Sequence, residues 1–217
     1  MKIVAHRGYW NDLTEKNSLE SFRRAFLHGY GVETDLRDYC GKLVISHDIA
    51  DENSMSCDTF FDLYRQSGNE VPLALNIKAD GLQNLLKEKL EKYGIRNYFV
   101  FDMSIPEMVI YKTQKIAFFT RGSDIEKEQV LYHDALGVWL DTFYNDQWNI
   151  FDSVQSILAD GKKVVIVSPE LHGKAKDELW GMLKQEHIDL AEGLYLCTDY
   201  PQEAEGFFKK GQREDAT

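Results

Sequence analysis

Residues 3–35 read IVAHRGYWNDLTEKNSLESFRRAFLHGYGVETD, and this stretch contains the unit that the rest of the chain repeats. It opens with a short apolar run at residues 3–6 and closes with a second run at residues 32–35. Between them, residues 18–28 carry apolar side chains at helical spacing and end before Gly29, a residue that commonly stops helices. A strand, a helix and a second strand in this order predict a βα unit of a parallel sheet.

The same alternation continues along the chain. Strands are predicted at residues 3–6, 32–35, 72–78, 98–102, 116–120, 137–141, 163–167 and 193–197, and a hairpin arm beside the second strand at residues 42–46. Helices are predicted at residues 18–28, 59–66, 82–93, 105–113, 125–132, 146–159, 174–185 and 201–210. Eight βα units predict an α/β fold, a single (β/α)₈ TIM barrel. A doubly wound open sheet is the alternative, because a pattern of elements does not prove closure.

Length and composition fit one barrel of modest size. The chain has 217 residues, with 43% hydrophobic and 28% charged residues, which is ordinary for a globular protein. Residues 1–217 are therefore expected to form a single domain, with a frayed polar tail at residues 209–217. The three cysteines, Cys40, Cys57 and Cys197, lack metal-ligand spacing and are expected to be reduced thiols.

The net charge of −11 and the absence of a basic run argue against binding to nucleic acid or to anionic membranes. The sequence shows neither a signal peptide nor an apolar run of membrane-spanning length. We therefore expect a cytoplasmic protein with a small-molecule partner and no stable membrane anchor. The sequence does not predict an oligomeric state.

The candidate site residues follow predicted strands, and in a TIM barrel the active site lies at the carboxyl ends of the strands. His6 and Arg7 follow the first strand, offering a proton-transfer group and a planar cation suited to phosphate. Glu33 and Asp35 are two apart on the second strand and therefore share a face. Because paired carboxylates repel each other, a hard divalent ion such as Mg²⁺ or Ca²⁺ is their expected partner.

Two further segments extend this set. His47 supplies a second imidazole shortly after the carboxylate pair, and Asp48 beside it either orients a neighbour or caps a turn. Asn76 and Lys78 share a face of the third barrel strand, where an amide oxygen can bind a metal and an ammonium can bind phosphate. Together these groups supply what phosphodiester cleavage needs, namely charge neutralisation, a base and an acid.

These residues resemble the glycerophosphodiester phosphodiesterase family, within the phosphatidylinositol phospholipase C-like barrels. The resemblance is dense over residues 3–48, and it returns near the end of the chain at residues 198–201. The segments that carry the resemblance are Ala5-His6-Arg7-Gly8, Asn17-Ser18-Leu19-Glu20-Ser21-Phe22, Val32-Glu33-Thr34-Asp35, Gly41-Lys42-Leu43-Val44, His47-Asp48 and Thr198-Asp199-Tyr200-Pro201. The resemblance implies hydrolysis of a phosphodiester to a phosphomonoester and an alcohol. It also implies His6 and His47 as the acid/base pair, Glu33 and Asp35 as metal ligands, and Arg7 as a phosphate contact.

The sequence departs from the family pattern at three places. Asn76 stands where the family usually has a third metal-binding Glu, and Lys16-Asn17-Ser18 replaces a Glu-Asn-Thr. The connection from His47 to the next barrel strand is also short, which predicts an open mouth. A lysophospholipid or an envelope-precursor phosphodiester is therefore an alternative substrate, and a non-catalytic barrel that binds a phosphate ligand is an alternative function.

Two later strand ends carry further candidates for substrate binding. Arg121 follows the fifth barrel strand and could bind a second anionic group. Glu170 or His172 follows the seventh and could bind a polar head group. Surface salt bridges explain these residues equally well.

Overall fold

Parallel strands form a ring at the centre of the protein in the computed structural model, which describes residues 1–144 and 150–209. The strands, in chain order, are β1 (Lys2–His6), β2 (Gly31–Tyr39), β3 (Lys42–Ile45), β4 (Met55–Ser56), β5 (Leu73–Ile77), β6 (Tyr98–Phe101), β7 (Phe119–Ser123), β8 (Gly137–Asp141), β9 (Lys163–Val167) and β10 (Leu194–Thr198). The helices are α1 (Leu19–Leu27), α2 (Cys57–Ser67), α3 (Gln83–Tyr93), α4 (Ile105–Thr113), α5 (Ile150–Ala159), α6 (Asp177–Gln185) and α7 (Pro201–Lys209).

Parallel pairing joins eight of these strands into a closed barrel. β1 pairs with both β2 and β10, β2 continues through β5 to β6, and β10 continues through β9 and β8 to β7. The remaining joint lies between β6 and the residues just before β7. There Val100 forms a parallel bridge with Phe118, and its N–H donates to the carbonyl oxygen of Ala117 at 2.9 Å. The predicted (β/α)₈ barrel is thus confirmed, and the open sheet is excluded.

The predicted hairpin arm is also present. β2 extends beyond the barrel wall and turns at Cys40 and Gly41, both of which have a positive φ. β3 then returns antiparallel to β2, with Leu36 opposite Ile45, and β4 adds a short antiparallel edge. The arm therefore projects from the end of the barrel where the strands finish.

Local sequence explains why α1 forms where it does. The Ser18 side chain caps the helix by accepting a hydrogen bond from the N–H of Ser21 at 3.1 Å. Phe22, Ala25 and Phe26 are buried on the face towards the barrel, as the apolar spacing predicted. Phe22 meets Phe60 of α2 edge to face, with ring centroids 4.6 Å apart. This packing fixes the loop between β1 and α1, which carries several site residues.

The interior of the barrel is filled by aromatic and branched side chains. Phe99 stacks on Phe119 and Phe101 stacks on Trp139, both with ring centroids 3.8 Å apart. Val4, Ala74, Val165, Val167, Tyr195 and Cys197 belong to the same buried cluster. Polar groups at the strand ends therefore lie above an apolar plug that excludes water from below.

One predicted helix is wrong. Residues 125–132 form turns rather than a helix. Leu131 has a φ of 55°, which a right-handed helix does not accommodate, and the Val130 carbonyl oxygen accepts a hydrogen bond from the Thr120 hydroxyl at 2.7 Å. Ser123 also accepts hydrogen bonds from the N–H groups of Ile125 and Glu126, so side chains hold this segment in turns.

Parts of three predictions lie outside the described residues. These are the first residues of the helix at 146–159, the last residue of the helix at 201–210, and the tail from residue 210 onwards. Among the described residues, no helix combines the length and apolar character needed to cross a membrane.

Candidate active site

A cavity of about 170 Å³ lies at the carboxyl ends of the barrel strands. It is lined by His6, Arg7, Glu33, Asp35, Asn76, Lys78, Phe101, Asp102, Trp139, Asp141, Val167, Leu171 and His172. Seven of the ten residues predicted from the sequence for catalysis or binding are in this set: His6, Arg7, Glu33, Asp35, Asn76, Lys78 and His172. Two groups of these lining residues come from different strands. The β1–β2 wall consists of His6, Arg7, Glu33 and Asp35, and the β8–β9 wall consists of Trp139, Asp141, Leu171 and His172.

His6 ends β1, and its ring is held by a carboxylate from the other end of the chain. Its Nδ1 lies 2.6 Å from Oδ1 of Asp199, and Nε2 lies 3.9 Å from Oε2 of Glu33. Burial lowers the pKa of His6, against the opposing effect of Asp199. Burial disfavours the charged form of Asp199, yet the hydrogen bond from His6 and the charges of His6 and Lys16 hold the pKa of Asp199 below its usual value. A neutral His6 that donates from Nδ1 therefore presents Nε2 as a base.

Lys16 occupies the place where the family pattern has a glutamate. Its Nζ lies 3.1 Å from Oδ2 of Asp199 and 4.6 Å from the centroid of the Trp10 ring. The lysine thus neutralises the carboxylate that orients His6. Lys16 departs from the family pattern, but its charge is balanced by that of Asp199.

Glu33 and Asp35 are buried side by side on β2, with 2% and 1% of their surface exposed. Burial, followed by the charge of Asp35, raises the pKa of Glu33 to about 8. Two cations face the pair, with Arg7 Nε 3.3 Å from Asp35 Oδ2 and Lys78 Nζ 3.4 Å from Asp35 Oδ1. Glu33 also accepts a hydrogen bond from the Arg7 backbone N–H at 3.2 Å. Both cations contact Asp35 rather than Glu33, so an ionised Glu33 is the less well balanced of the two carboxylates, and a bound cation would offset its charge.

Unusual backbone conformations aim several of these groups into the cavity. Arg7, Asn17 and Asp102 have φ values of 55°, 59° and 69°, in the left-handed backbone region that residues other than glycine rarely adopt. Gly8 follows Arg7 with a φ of 86°, and a Cβ there would lie 2.5 Å from Ser21 Oγ. The turn after β1 therefore requires a glycine at this position.

Asn17 acts as a clamp between the first two strands. Its Nδ2 donates to Oδ2 of Asp35 at 2.8 Å, and its Oδ1 accepts from the Thr34 hydroxyl at 2.8 Å. Its backbone N–H donates to the Arg7 carbonyl oxygen at 2.9 Å. The asparagine therefore fixes the position of Asp35 relative to the loop that carries Arg7.

The oxygen donors of the cavity fit a hard divalent cation. Asn76 Oδ1 is buried and accepts no hydrogen bond from any described residue, while Asp35 Oδ1 is buried with no polar contact to those residues beyond the ion pair to Lys78 at 3.4 Å. A buried oxygen without a hydrogen-bond donor is unfavourable unless a ligand satisfies it. Residues 1–144 and 150–209 contain no group of three or more His, Cys, Asp or Glu side chains that could hold a metal. The candidate set here is instead two carboxylates and one amide, Glu33, Asp35 and Asn76, and these are ligand types that Mg²⁺ and Ca²⁺ accept.

Asp102 was not among the candidate ligands, although it lines the cavity directly after β6. Asn76 Nδ2 donates to its Oδ2 at 3.2 Å, and this bond turns Asn76 Oδ1 away from Asp102. Burial raises the pKa of Asp102, with opposing effects from Lys78 and Arg121. Arg121 NH1 lies 3.7 Å from Asp102, while its NH2 lies 2.7 Å from Glu126. Arg121 is not among the described lining residues, so it reaches the cavity only through Asp102.

The β8–β9 wall carries a second pair of a histidine and a carboxylate. His172 Nε2 lies 2.6 Å from Asp141 Oδ1, and both residues line the cavity. Phe143 packs against the imidazole with ring centroids 5.1 Å apart. Trp139, stacked on Phe101, forms the apolar part of this wall.

His47 lies in the loop that follows β3. Its side chain is 42% exposed, and its Nδ1 lies 2.9 Å from Oδ1 of Asp48, which is almost fully exposed. The His47 carbonyl oxygen accepts from the Arg37 guanidinium at 3.3 Å. His47 is not among the described residues that line the cavity.

Glu170 connects the loops that follow β9 and β10. Its carboxylate accepts hydrogen bonds from the hydroxyls of Ser168 and Thr198, and from the N–H of Asp199 at 3.2 Å. It is not among the described lining residues. In this arrangement Glu170 holds the backbone of Asp199, the residue that holds His6.

From the sequence, no role was predicted for Asp199, Asn17 or Asp141, and His172 was predicted only as a contact for a polar head group. The first two lie inside the quoted family segments, so that resemblance contained the signal. His6 and Asp199 are 193 positions apart and Asp141 and His172 are 31 apart, so no local spacing reveals these pairs. The first pair forms because β10 lies beside β1, and the second because β9 lies beside β8.

Comparison with solved structures places the fold among phosphodiesterase barrels. A glycerophosphodiester phosphodiesterase from Parabacteroides distasonis superposes with a TM-score of 0.74 at 17% identity, covering 97% of this chain and 98% of that one. A phosphodiesterase from Oleispira antarctica, in complex with the product sn-glycerol-3-phosphate, gives 0.73 at 19% identity, covering 96% and 97%. A Ca²⁺-dependent phosphatidylinositol-specific phospholipase C from Streptomyces antibioticus gives 0.59 at 9% identity, covering 95% of each chain.

At the level of sequence, no family profile and no curated protein matches the chain. The chain therefore shares the barrel fold of glycerophosphodiester phosphodiesterases, and the predicted fold is confirmed.

Proposed function

We propose that this protein is a metal-assisted phosphodiesterase that hydrolyses a glycerophosphodiester-like substrate to a phosphomonoester and an alcohol. The observation that carries the proposal is the content of one cavity. A histidine held by a carboxylate, two cations and a set of oxygen ligands meet at the strand ends of the barrel. The solved structures with this fold add support, since one is a glycerophosphodiester phosphodiesterase and another holds sn-glycerol-3-phosphate.

The phosphate group of the substrate fits the β1–β2 wall. Arg7 and Lys78 both face this wall, 22% and 23% exposed, and both are paired with Asp35. Arg7 can bind two phosphoryl oxygens with its planar guanidinium, and Lys78 can bind one as a point charge. These two side chains therefore hold and orient the phosphodiester.

Glu33, Asp35 and Asn76 would hold a divalent cation, Mg²⁺ or Ca²⁺, beside this phosphate. When bound, the ion supplies positive charge that offsets the charge on the phosphoryl oxygens. Asn76 is neutral where a carboxylate would add a negative charge. We therefore expect this site to bind the metal more weakly than a site with three carboxylates would. The Ca²⁺ dependence stated for the Streptomyces phospholipase C is consistent with an ion at this position.

His6 acts as the base. Its lowered pKa keeps the ring neutral near pH 7, and Asp199 holds Nδ1 so that Nε2 can accept a proton. The nucleophile is a water molecule or a hydroxyl of the substrate, and it loses its proton to Nε2 as its oxygen attacks phosphorus. The leaving alcohol then needs a proton from a second group, for which the sequence nominates His47.

The first test is hydrolysis of bis(p-nitrophenyl) phosphate and of glycerophosphodiesters, with EDTA and with Mg²⁺ or Ca²⁺ added back. Turnover that EDTA abolishes and one ion restores supports the proposal. We expect His6→Asn to lower kcat/KM by about 10²–10⁴-fold, the range for a general base. His133→Asn is the matched control, because His133 is exposed in the turn before β8, at the opposite end of the barrel.

Two results contradict the proposal. If the wild-type protein turns over none of these esters with either ion, a barrel that only binds a phosphate ligand becomes the better reading. If His6→Asn retains full activity on an ester that the wild type cleaves, the assignment of His6 is wrong.

A further inference from the structure

The cavity contains two histidine–carboxylate pairs rather than one. His6 with Asp199 stands on the β1–β2 wall, and His172 with Asp141 stands on the β8–β9 wall. Each ring nitrogen lies 2.6 Å from its carboxylate oxygen. A carboxylate at this distance fixes the tautomer and orientation of the ring and faces the positive charge that the ring carries when protonated. Both pairs therefore have the construction of proton-transfer groups.

His47 lacks this construction. It is more exposed than His172, at 42% against 28%, and its partner Asp48 is 94% exposed against 16% for Asp141. An exposed partner is hydrated and mobile, so it holds a ring less firmly. His172 is further held by the Phe143 ring.

The distribution of charge sets the direction of the substrate. Arg7 and Lys78 both pair with Asp35, so the phosphate belongs beside the β1–β2 wall. Asp141 lines the cavity on the β8–β9 wall, where its carboxylate repels a phosphate. A phosphodiester held by Arg7 and Lys78 therefore points one of its ester oxygens across the cavity, towards Asp141 and His172.

We propose that His172, held by Asp141, is the general acid that protonates the leaving alcohol, a step that rests on the phosphodiesterase function proposed above. Because Asp141 takes Nε2, the proton leaves from Nδ1. The nucleophile transfers its proton to His6 Nε2 as its oxygen bonds to phosphorus. The bond from phosphorus to the leaving oxygen breaks, its electron pair stays on that oxygen, and the oxygen receives the proton of His172.

The test varies the need for an acid. Two diesters share sn-glycerol-3-phosphate and differ in the leaving group, which is p-nitrophenol in one and a simple alkyl alcohol in the other. The phenol is acidic and leaves without a proton, whereas the alkyl alcohol does not. We expect His172→Gln to lower kcat/KM for the alkyl ester by about 10²–10⁴-fold and to leave the p-nitrophenyl ester within about tenfold of wild type.

His47→Gln is measured beside it on the same two esters, and His133→Gln is the control, with circular dichroism to verify folding. A loss confined to the alkyl ester in His47→Gln, with His172→Gln unaffected, overturns the proposal and gives the acid role to His47. An equal loss on both esters in His172→Gln also overturns it, because a structural role predicts that result. Absence of wild-type turnover on both esters would instead refute the phosphodiesterase function itself.

Discussion

The two walls of the cavity are built in different ways, although both line the same barrel mouth. On the β1–β2 wall the carboxylates of Glu33 and Asp35 are almost fully buried, and the cations Arg7 and Lys78 both contact Asp35. The β8–β9 wall combines the end of β8 with the segment after β9, and its Asp141–His172 pair is more exposed. Burial raises the cost of unbalanced charge. Under the proposed function, the first wall binds the phosphate and an ion, and the second contacts the uncharged arm of the substrate.

This difference is one of chemistry and not only of position. His6 is held by a residue that itself has partners. Asp199 forms an ion pair with Lys16, and its backbone N–H donates a hydrogen bond to the carboxylate of Glu170. Asp141 has a simpler environment, and its Oδ1 also accepts a hydrogen bond from the N–H of Thr142 at 2.8 Å. Removing a support should therefore have unequal effects at the two walls.

The largest effect is expected from Asp199→Asn. An amide no longer fixes the tautomer of His6, and we expect kcat/KM to fall by about 10²–10⁴-fold on any phosphodiester, including one with a p-nitrophenyl leaving group. Asp141→Asn is the matched change on the other wall and should spare the p-nitrophenyl ester. Steady-state kinetics of both variants on that ester measures the contrast. Equal losses would mean that the two walls do not divide the chemistry.

A smaller effect is expected from Asn76→Asp, which restores a third carboxylate beside Glu33 and Asp35. Affinity for a hard divalent ion grows with the charge of its ligands, and we expect the dissociation constant for Mg²⁺ or Ca²⁺ to fall about tenfold. Asn76→Ala removes the oxygen and should weaken binding. Isothermal titration calorimetry on the metal-free proteins measures both. If the two variants bind as the wild type does, Asn76 Oδ1 is not a ligand.

The sequence predicted the barrel and the β1–β2 wall well, for a physical reason. Strand and helix periodicity is local, and Glu33 and Asp35 share a face because alternate residues of a strand do so. The helix predicted at residues 125–132 failed because the side chains of Thr120 and Ser123, which closely precede it in the chain, hold its backbone in turns. Local periodicity carries no information about such contacts.

The remainder of the site depends on closure of the ring. Asp199 reaches His6 only because β10 pairs with β1, and His172 reaches Asp141 only because β9 pairs with β8. The sequence predicted His172 as a contact for a polar head group and did not pair it with Asp141. Arg121 and Glu170, proposed from sequence as substrate contacts, bond instead to Glu126 and to the β10 loop. A chain position indicates which end of the barrel a residue occupies, but not which way its side chain turns.

The smallest effect concerns the unbalanced charge of the β1–β2 wall and is expected in stability rather than rate. Burial and the charge of Asp35 raise the pKa of Glu33 from 4.5 to about 8, so the folded protein keeps a proton there that the unfolded chain has released. Between pH 5 and pH 8 the unfolded state therefore binds fewer protons, and the contribution of Glu33 to stability falls as the pH rises.

Glu33→Gln mimics the protonated group and escapes this loss. In EDTA, the Tm of Glu33→Gln should match wild type near pH 5 and exceed it near pH 8, by about 2–4 °C for each ~1 kcal/mol that the ionised Glu33 costs the folded wild type. Adding Mg²⁺ or Ca²⁺ at pH 8 should reverse the order, because the ionised Glu33 of the wild type then gains a ligand and the glutamine does not. A Tm difference that is independent of pH would show that Glu33 is ionised throughout and that Arg7 and Lys78 already balance this wall.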